Sequence, residues 1–153
     1  MTVEPGQEAP DFELKDQDGN MVSLAGFRGD KAVALVFYPF TFTGVCQGEL
    51  CELRDDIGDF SAENVQVLAV SCDSPFAQKK WAEEQGFTFP VLSDFWPHGA
   101  VSKTYGVFND ALGCANRATF LIDADGKVVD TFATDNLGTP REKARYTEAL
   151  AKL

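Results

Sequence analysis

The sequence predicts an α/β fold in which a mixed central β-sheet carries helices on both faces. Two short apolar runs rich in β-branched residues, 32–38 and 65–70, have the composition of buried central strands. Apolar positions recur at helical spacing between them, and paired short segments near both ends of the chain are typical of hairpins. At 153 residues the chain is long enough to bury a core without disulfides or metals, so we expect one domain over residues 1–153.

The first half of the chain predicts a hairpin followed by a strand–helix–strand unit. Segments 12–14 and 21–24 flank the turn sequence DQDGN at 16–20 and form the predicted hairpin. Between the two central strands, five apolar positions step by four, three, four and three residues, which predicts one helix with a core-facing stripe. These positions are Cys46, Leu50, Leu53, Ile57 and Phe60.

The second half adds two helices and a short strand. A helix is expected over 77–85, with Gly86 as its stop, and a weaker helical stretch over 100–105. Segment 89–92 is predicted to be edge-like, because Pro90 has no N–H to donate to a β-ladder.

The C-terminal part predicts a second hairpin and a last helix. Segments 118–122 and 127–132 surround the turn sequence DADG, which is a strong hairpin signal. Thr139 is a candidate N-cap, Pro140 suits the first helical position, and Glu142 is placed for a capping box. This order of elements fits a thioredoxin-like architecture, but periodicity alone leaves a flavodoxin-like fold open.

Composition and charge narrow the classes of partner. The chain has 24 acidic and 13 basic residues, a formal net charge of −11, and no basic cluster. Nucleic acid and anionic membrane surfaces would repel such a chain. The first residues have neither a basic leader nor an apolar core, and no later run approaches a membrane span, so we expect a cytoplasmic protein.

Four cysteines, at positions 46, 51, 72 and 114, are the main candidates for chemistry. In a reducing compartment such cysteines serve redox chemistry more often than structure, although Cys72 and Cys114 fit equally well as small core residues. The C-x-x-C pair of disulfide oxidoreductases and the paired spacing of zinc ligands are both missing, so we expect no metal or other cofactor. The single histidine, His98, lies in a turn and is expected to be a surface or packing residue.

Cys46 has the setting of an activated thiolate. It follows the strand at 32–38 and opens a helical pattern, where unpaired N–H groups and the helix dipole favour a negative sulfur. Pro39 would shield the sulfur from water. Thr43 lies one helical turn before Cys46, so its hydroxyl could accept from the thiol region and donate to the substrate oxygen that a thiolate attacks. A plain N-cap role for Thr43 is the alternative.

The order proline, three residues, threonine, two residues, cysteine resembles the active-site motif of the peroxiredoxins, thiol enzymes that reduce hydroperoxides. Similarity extends from Pro5 through the last helix, and segments 87–100 and 105–108 resemble the alkyl hydroperoxide reductase E type. The resemblance implies a thioredoxin-like fold and no cofactor.

The resemblance also implies roles for two further residues. The arginine that peroxiredoxins carry at the start of a later strand corresponds to Arg117, whose guanidinium would stabilise the thiolate and polarise the peroxide. Glu49 matches a position that often bonds this arginine. The alternatives are an ordinary ion pair for Arg117 and a solvated helix-surface residue for Glu49.

Cys51 departs from the E type, which often has one cysteine. Four residues separate it from Cys46, the spacing of the resolving cysteine in Q-type peroxiredoxins. Five helical residues rotate a side chain by about 140° and place the Cα atoms roughly 9 Å apart, whereas a disulfide needs them within about 7 Å. A Cys46–Cys51 disulfide therefore requires the helix to unwind, and an inert core role for Cys51 stays open.

The leading hypothesis is a thiol-dependent peroxidase in which the Cys46 sulfenic acid is resolved by Cys51 as an intramolecular disulfide. The alternatives are a one-cysteine peroxidase recycled by an external thiol, a peroxide sensor or redox interaction protein, and, more weakly, a disulfide oxidoreductase. The resemblance implies thioredoxin, or mycothiol through a glutaredoxin-like partner, as reductant. Together with the resemblance, phenylalanines and Tyr105 near the expected active-site face suggest a homodimer across that face. Trp81 and Trp96 are expected to be core or interface aromatics.

Overall fold

A computed structural model describes residues 1–153 and contains nine strands and five α-helices. The strands are Glu13–Lys15 (β1), Met21–Ser23 (β2), Ala32–Phe37 (β3), Val65–Ser71 (β4), Val91–Ser93 (β5), Phe108–Asn109 (β6), Cys114–Ala115 (β7), Ala118–Ile122 (β8) and Val128–Ala133 (β9). The helices are Gly44–Asp55 (α1), Ile57–Ala62 (α2), Pro75–Gln85 (α3), Ala100–Thr104 (α4) and Lys143–Leu150 (α5).

Seven strands form one mixed sheet in the order β2-β1-β5-β4-β3-β8-β9. The central strands β3, β4 and β5 run parallel, and β8 pairs antiparallel with β3. Both predicted hairpins are confirmed, since β1 pairs with β2 and β8 with β9. The mixed sheet flanked by helices is therefore as the sequence predicted.

The sheet separates two hydrophobic clusters, and β3 contributes to both. Ala34 and Val36 face the cluster that contains Cys46 and Leu50, while Leu35 faces the other one. Every residue of β3 is buried. This double burial explains why the strand reads as a continuous apolar run instead of an alternating one.

The helix predicted between β3 and β4 is in fact two helices. Asp56, with φ −97° and ψ 10°, leaves the helical conformation and separates α1 from α2. The apolar stripe nevertheless holds across the break, because Leu53 and Phe60 are buried in the same cluster and Ile57 packs against it.

The prediction of an edge-like strand at 89–92 is wrong. The strand β5 lies inside the sheet, between β1 and β4, and β2 forms that edge. Pro90 precedes the strand and contributes only its carbonyl, which accepts a hydrogen bond from the Ala69 N–H at 3.1 Å. A proline just outside a strand costs the ladder no donor.

The predicted start of the last helix is also wrong, because α5 begins at Lys143 and not after Thr139. The Thr139 hydroxyl donates to Asn136 Oδ1 at 2.9 Å, and Glu142 makes no side-chain capping bond. Pro140 is not the first helical residue, since Arg141 is diverted into a buried network with Glu49.

Other expectations have mixed outcomes. Helix α3 ends at Gly86, whose φ of 70° is left-handed, as predicted, and α4 matches the weaker helical stretch. The small β6–β7 sheet was not foreseen.

The burial of three aromatic residues bears on the predicted core and dimer surface. Trp81 is a core residue, but Trp96 is 82% exposed, and Tyr105 is fully buried and so cannot form a dimer surface. None of the helices has the length and apolar character needed to cross a bilayer.

Candidate active site

Cys46 occupies the third position of α1 and is fully buried. Thr43 is the N-cap residue, and the first helical bond runs from the Gln47 N–H to the Thr43 carbonyl at 2.8 Å. The backbone N–H groups of Gly44, Val45 and Cys46 therefore have no partner within the chain. Such free donors at a helix start favour an anion.

Arg117 lies directly before β8 and reaches the sulfur from the neighbouring strand. Its Nη1 is 3.1 Å from Cys46 Sγ and 2.7 Å from Glu49 Oε1. Its Nε donates to the Leu137 carbonyl at 2.7 Å, which fixes the plane of the guanidinium. Arg117 is only 3% exposed, so these contacts are shielded from water. Three of the residues that the sequence singled out, Cys46, Glu49 and Arg117, thus form one cluster.

A second arginine, Arg141, completes the cluster and was missed by the sequence reasoning. Its backbone N–H and Nε donate to Glu49 Oε2 at 2.7 and 2.9 Å, and its Nη2 donates to Oε1 at 2.9 Å. Its Nη1 donates to the carbonyls of Phe37 and Ala118 at 2.7 and 2.9 Å. Arg141 therefore joins α1 to the ends of β3 and β8.

No local pattern marks Arg141, because its partner Glu49 lies 92 residues away in the sequence. The segment around it even carries a misleading helix-start pattern, with Thr139, Pro140 and Glu142. The useful signal would have been that a glutamate at the core-facing side of α1 needs a positively charged or hydrogen-bonding partner once it is buried, which makes every arginine of the chain a candidate.

The cluster has an unbalanced positive charge. Burial raises the pKa of the Glu49 carboxyl, but the hydrogen bonds and charge of Arg141, together with the charge of Arg117, outweigh burial and hold that pKa below its usual range. Two guanidinium groups then face one carboxylate. A negative charge at the position of Cys46 Sγ would make the buried cluster neutral, so the arrangement is suited to stabilise an anion there.

Thr43 and Pro39 lie in the segment that leads into α1, and neither hydrogen-bonds to the Cys46 sulfur. The Thr43 hydroxyl donates to the Phe40 carbonyl at 2.6 Å and makes no N-cap bond. Its side chain is therefore not the plain N-cap that was the alternative. The expectation that this hydroxyl donates to the attacked oxygen is wrong in this geometry, because its hydrogen is used for Phe40, while its oxygen keeps lone pairs that can accept a hydrogen bond. Pro39 is buried at the end of β3.

Cys51 lies on the same continuous helix as Cys46, and all four cysteines are unpaired. Its side chain is half-buried, packs against the hydrophobic cluster of Cys46, and donates to Gln85 Oε1 at 3.6 Å. The structure therefore shows α1 in its wound state, in which the two thiols are not joined.

The other two cysteines lie in settings that disfavour a thiolate. Burial raises the pKa of Cys72 to about 12 and that of Cys114 to about 11. Neither is placed as a nucleophile at neutral pH. His98 contacts the carbonyls of Phe95 and Gly113 at 3.1 and 2.7 Å, which agrees with the predicted packing role. No three histidine, cysteine or acidic side chains cluster closely enough to hold a metal ion.

Comparison with known proteins identifies the family. The AhpC/TSA family model matches residues 5–131. The chain is 50% identical over 148 residues to alkyl hydroperoxide reductase E of Mycobacterium tuberculosis, covering 97% of this chain and 96% of the relative. The chain is a peroxiredoxin of the AhpC/TSA family. It is also 36% identical over 143 residues to peroxiredoxin Bcp of Escherichia coli, covering 88% and 90% of the two chains.

Solved structures of peroxiredoxins have the same fold. The crystal structure of peroxidoxin BcpB from Mycobacterium tuberculosis superposes with a TM-score of 0.87 at 34% identity, covering 98% of this chain and 96% of that one. This peroxiredoxin therefore has the predicted thioredoxin-like fold, and the flavodoxin-like alternative is wrong. Thiol-dependent peroxide reduction is the activity that the family assigns to it.

Proposed function

We propose that this peroxiredoxin reduces hydroperoxides through the Cys46 thiolate. The sulfur attacks the terminal peroxide oxygen, a new S–O bond forms as the O–O bond breaks, and the leaving oxygen takes up a proton to depart as water or an alcohol. Cys46 becomes a sulfenic acid. The observation that carries this proposal is the contact between Arg117 Nη1 and Cys46 Sγ at 3.1 Å, inside a buried cluster with one excess positive charge.

The groups around Cys46 can stabilise both the peroxide and the developing charge. Arg117 and the free N–H groups at the start of α1 are donors, and they suit the oxygen that gains negative charge. The Thr43 hydroxyl already donates to Phe40, so its role is to accept the peroxide O–H. To Pro39, which is buried and has no N–H, we assign the role of covering the sulfur from solvent.

Single cysteine variants test the assignment of the nucleophile. Cys46→Ser should abolish rapid peroxide consumption in stopped-flow measurements, whereas Cys72→Ser and Cys114→Ser should keep most of it. The two control cysteines are matched, because both are buried and both have raised pKa values. Fast reduction of hydroperoxide by Cys46→Ser would contradict the assignment.

We further propose that Cys51 resolves the sulfenic acid. Its thiolate attacks the Cys46 sulfur, a disulfide forms, and hydroxide leaves to be protonated to water. Both residues lie on α1, so the helix must unwind between them for the sulfurs to meet. Cys51 makes a single weak hydrogen bond, to Gln85 at 3.6 Å, so its movement toward Cys46 costs that bond and its packing against the hydrophobic cluster but no strong polar contact.

Mass spectrometry after one equivalent of peroxide separates this route from one-cysteine chemistry. A Cys46–Cys51 disulfide lowers the protein mass by two hydrogen atoms, and far-UV circular dichroism should show a loss of helix. Cys51→Ser should instead accumulate sulfenic acid and overoxidise readily. A sulfenic acid that persists in the wild type, or a disulfide to Cys72 or Cys114, would refute the role of Cys51 and favour an external thiol.

We also propose a thiol reductant and a cytoplasmic location for this peroxiredoxin. A dithiol protein such as thioredoxin suits an intramolecular disulfide, and mycothiol with a glutaredoxin-like partner suits a persistent sulfenic acid. Four unpaired cysteines fit the reducing cytoplasm. Catalytic turnover with either reductant distinguishes an enzyme from a peroxide sensor, which would be oxidised once without sustained peroxide consumption.

A homodimer across the active-site end is supported by exposed aromatic side chains. The segments after the parallel strands β3, β4 and β5 meet at one edge of the sheet, and each carries large apolar side chains. Their exposed fractions are 50% for Phe42, 83% for Phe76, 49% for Phe95 and 82% for Trp96. Exposed apolar patches of this kind mark interaction sites. The proposal no longer includes Tyr105, which is buried.

A further inference from the structure

The segment between β3 and α1, residues 39–43, is called here the Cys46 loop, and it holds a strained residue. Phe42 has a φ of 64°, a left-handed conformation that bulky residues rarely adopt. Its ring is half exposed and rests against Trp81, with the centroids 6.2 Å apart. Other parts of the molecule must hold such a conformation in place.

Asp73 provides a hydrogen bond that ties this loop to another element. Its Oδ2 accepts from the backbone N–H of Thr41 at 2.8 Å and from the Ser71 hydroxyl at 2.7 Å. Gln78 Nε2 donates to Ser71 Oγ at 2.9 Å, so the Ser71 hydrogen is left for Asp73. The Asp73 carbonyl accepts from the Ser93 hydroxyl at 2.6 Å. Asp73 is therefore anchored to β4, β5 and α3 on one side and to the loop on the other.

The remaining hydrogen bonds of the Cys46 loop are local. The Tyr38 and Thr41 hydroxyls lie 2.9 Å apart, and the Thr43 hydroxyl donates to Phe40. Without Asp73, the loop keeps the packing of the buried Pro39 and Thr41 and the contact of Phe42 with Trp81, but none of its hydrogen bonds then reaches another element except through the start of α1. The hydrogen bond from Thr41 to Asp73 therefore helps to fix the positions of Thr43 and of the start of α1.

The charge of Asp73 works against a thiolate nearby. Burial is the largest cause of the raised pKa of Cys114, and the Asp73 carboxylate is the second largest. The same carboxylate also raises the pKa of Tyr38, so its field reaches the buried residues of this region. Asp73 and a negative Cys46 sulfur both raise the pKa values of Cys114 and Tyr38, so the two charges act on the same surroundings and a charged Asp73 offers no electrostatic advantage to the reaction. If Asp73 holds the loop in position, removal of its charge should slow the reaction of Cys46 with hydroperoxide. If Asp73 acted only through its charge, the same change should speed that reaction.

We propose that Asp73 is a positioning residue, which holds the Cys46 loop so that the Thr43 hydroxyl and the free N–H groups of α1 face the bound hydroperoxide. This role rests on the proposed peroxidase function of Cys46. It makes Asp73 act through the loop and not by contact with the substrate.

Two reactions of Cys46 in the full-length reduced protein test this role. Reaction with hydrogen peroxide needs the positioned groups, whereas alkylation by iodoacetamide needs only an accessible thiolate. Asp73→Asn and Asp73→Ala should lower the peroxide rate constant by roughly 10- to 100-fold, because a charge-assisted hydrogen bond is lost. Alkylation across about pH 5 to 9 should be unchanged or faster.

Two further variants, Ser71→Ala and Asp123→Asn, are compared with the Asp73 variants. Ser71→Ala should act in the same direction with a smaller effect, since it removes the two bonds between the Ser71 hydroxyl and Asp73 but no charge and no bond to the loop. Asp123→Asn is the control, because Asp123 holds the β8–β9 turn in the same way, accepting from the N–H groups of Asp125 and Lys127 at 3.0 and 2.9 Å. Both rates should be unchanged in this control.

Two results would overturn the role of Asp73. The first is a peroxide rate in Asp73→Asn that equals or exceeds that of the wild type, which would mean that Asp73 acts by its charge or not at all. The second is a parallel loss of both rates, which would indicate general destabilisation. Wild-type protein that is alkylated at Cys46 but does not react with peroxide would refute the proposed function itself, and this role with it.

Discussion

At the scale of single residues, the four cysteines have the same chemistry but different surroundings. Cys46 lies against Arg117 at a helix start, whereas Cys72 and Cys114 are buried with no positive side chain bonded to the sulfur. The sequence predicted the setting of Cys46 because helix position and the spacing to Pro39 and Thr43 are local features. It left Cys72 and Cys114 undecided, because burial depends on tertiary contacts.

The thiol reactivity of Cys72 and Cys114 should be low in the folded protein. Since burial raises their pKa values to about 12 and about 11, almost none of either thiol is ionised between about pH 6 and pH 9. Iodoacetamide should therefore label both slowly over that range and quickly after denaturation. Peptide mapping checks this, and rapid native labelling of either cysteine would show that the surroundings do not suppress its thiolate.

Glu49 should contribute strongly to stability, because it is the single carboxylate between two buried arginines. Glu49→Gln should destabilise the protein by about 3 to 5 kcal/mol near pH 7, since it leaves buried charge uncompensated. Glu52→Gln, one turn further along α1 and exposed, is the matched control and should have little effect. Urea denaturation of both variants measures the difference.

The pH dependence of this contribution has a defined sign. The pKa of Glu49 is lowered from its ordinary value of 4.5, so its stabilising effect is present above that pH and is lost as the pH falls through the folded-state pKa. The gap between wild type and Glu49→Gln should therefore narrow in acid. A gap that stays constant from neutral pH to below pH 4 would contradict the lowered pKa.

At the scale of elements, sequence periodicity predicted most helices and strands, but it did not predict contacts between distant segments. The apolar stripe from Cys46 to Phe60 was correct even though Asp56 divides the helix, because the stripe follows burial and not backbone continuity. The start of α5 was wrong because the Arg141 side chain is used for Glu49. Long-range ion pairs of this kind leave no local signature.

The rate of Cys46–Cys51 disulfide formation should fall when helix α1 is made more stable, because α1 must unwind for the sulfurs to meet. Gly48 lies between Cys46 and Cys51, is exposed, and has no atom near the position of an added Cβ. Gly48→Ala should stabilise the wound helix by about 0.5 to 1 kcal/mol. The formation of the Cys46–Cys51 disulfide should then be slowed by roughly two- to fivefold, while the initial peroxide reaction is unchanged.

Gly58→Ala in α2 is the control for this prediction. It is also an exposed helical glycine with free space around an added Cβ, but it lies outside the segment that must unwind. Quenched-flow mass spectrometry follows the sulfenic acid and the disulfide separately. Equal disulfide rates in wild type and Gly48→Ala would indicate that α1 does not unwind in the rate-limiting step.

At the scale of the whole molecule, a mixed sheet between two hydrophobic clusters brings distant residues to one site. Arg117 and Arg141 reach α1 because β8 pairs with β3, so the site depends on strand order. The sequence predicted the layers of the fold from periodicity, and the choice of thioredoxin-like topology came from the motif resemblance. Order within the sheet, including the interior position of β5, could not be read from local patterns.

Self-association should depend on the exposed aromatic side chains and on salt. Each chain carries a net charge of −11, so two copies repel one another, and added salt should strengthen the dimer by screening. Replacing Phe76 and Trp96 together by alanine should shift the protein toward monomer in sedimentation velocity at tens of micromolar. A wild-type monomer under these conditions would refute the proposed dimer.

The most direct test of the account is the rate of Cys46 oxidation by hydrogen peroxide, measured against pH in wild type, Arg117→Ala and Arg117→Lys. Arg117 contacts both the sulfur and Glu49, so its loss should shift the profile to higher pH and also lower the rate reached at high pH. Lysine should rescue only in part, because it lacks the planar fork. Wild-type kinetics in Arg117→Ala across the whole range would contradict the claim that this arginine activates the sulfur.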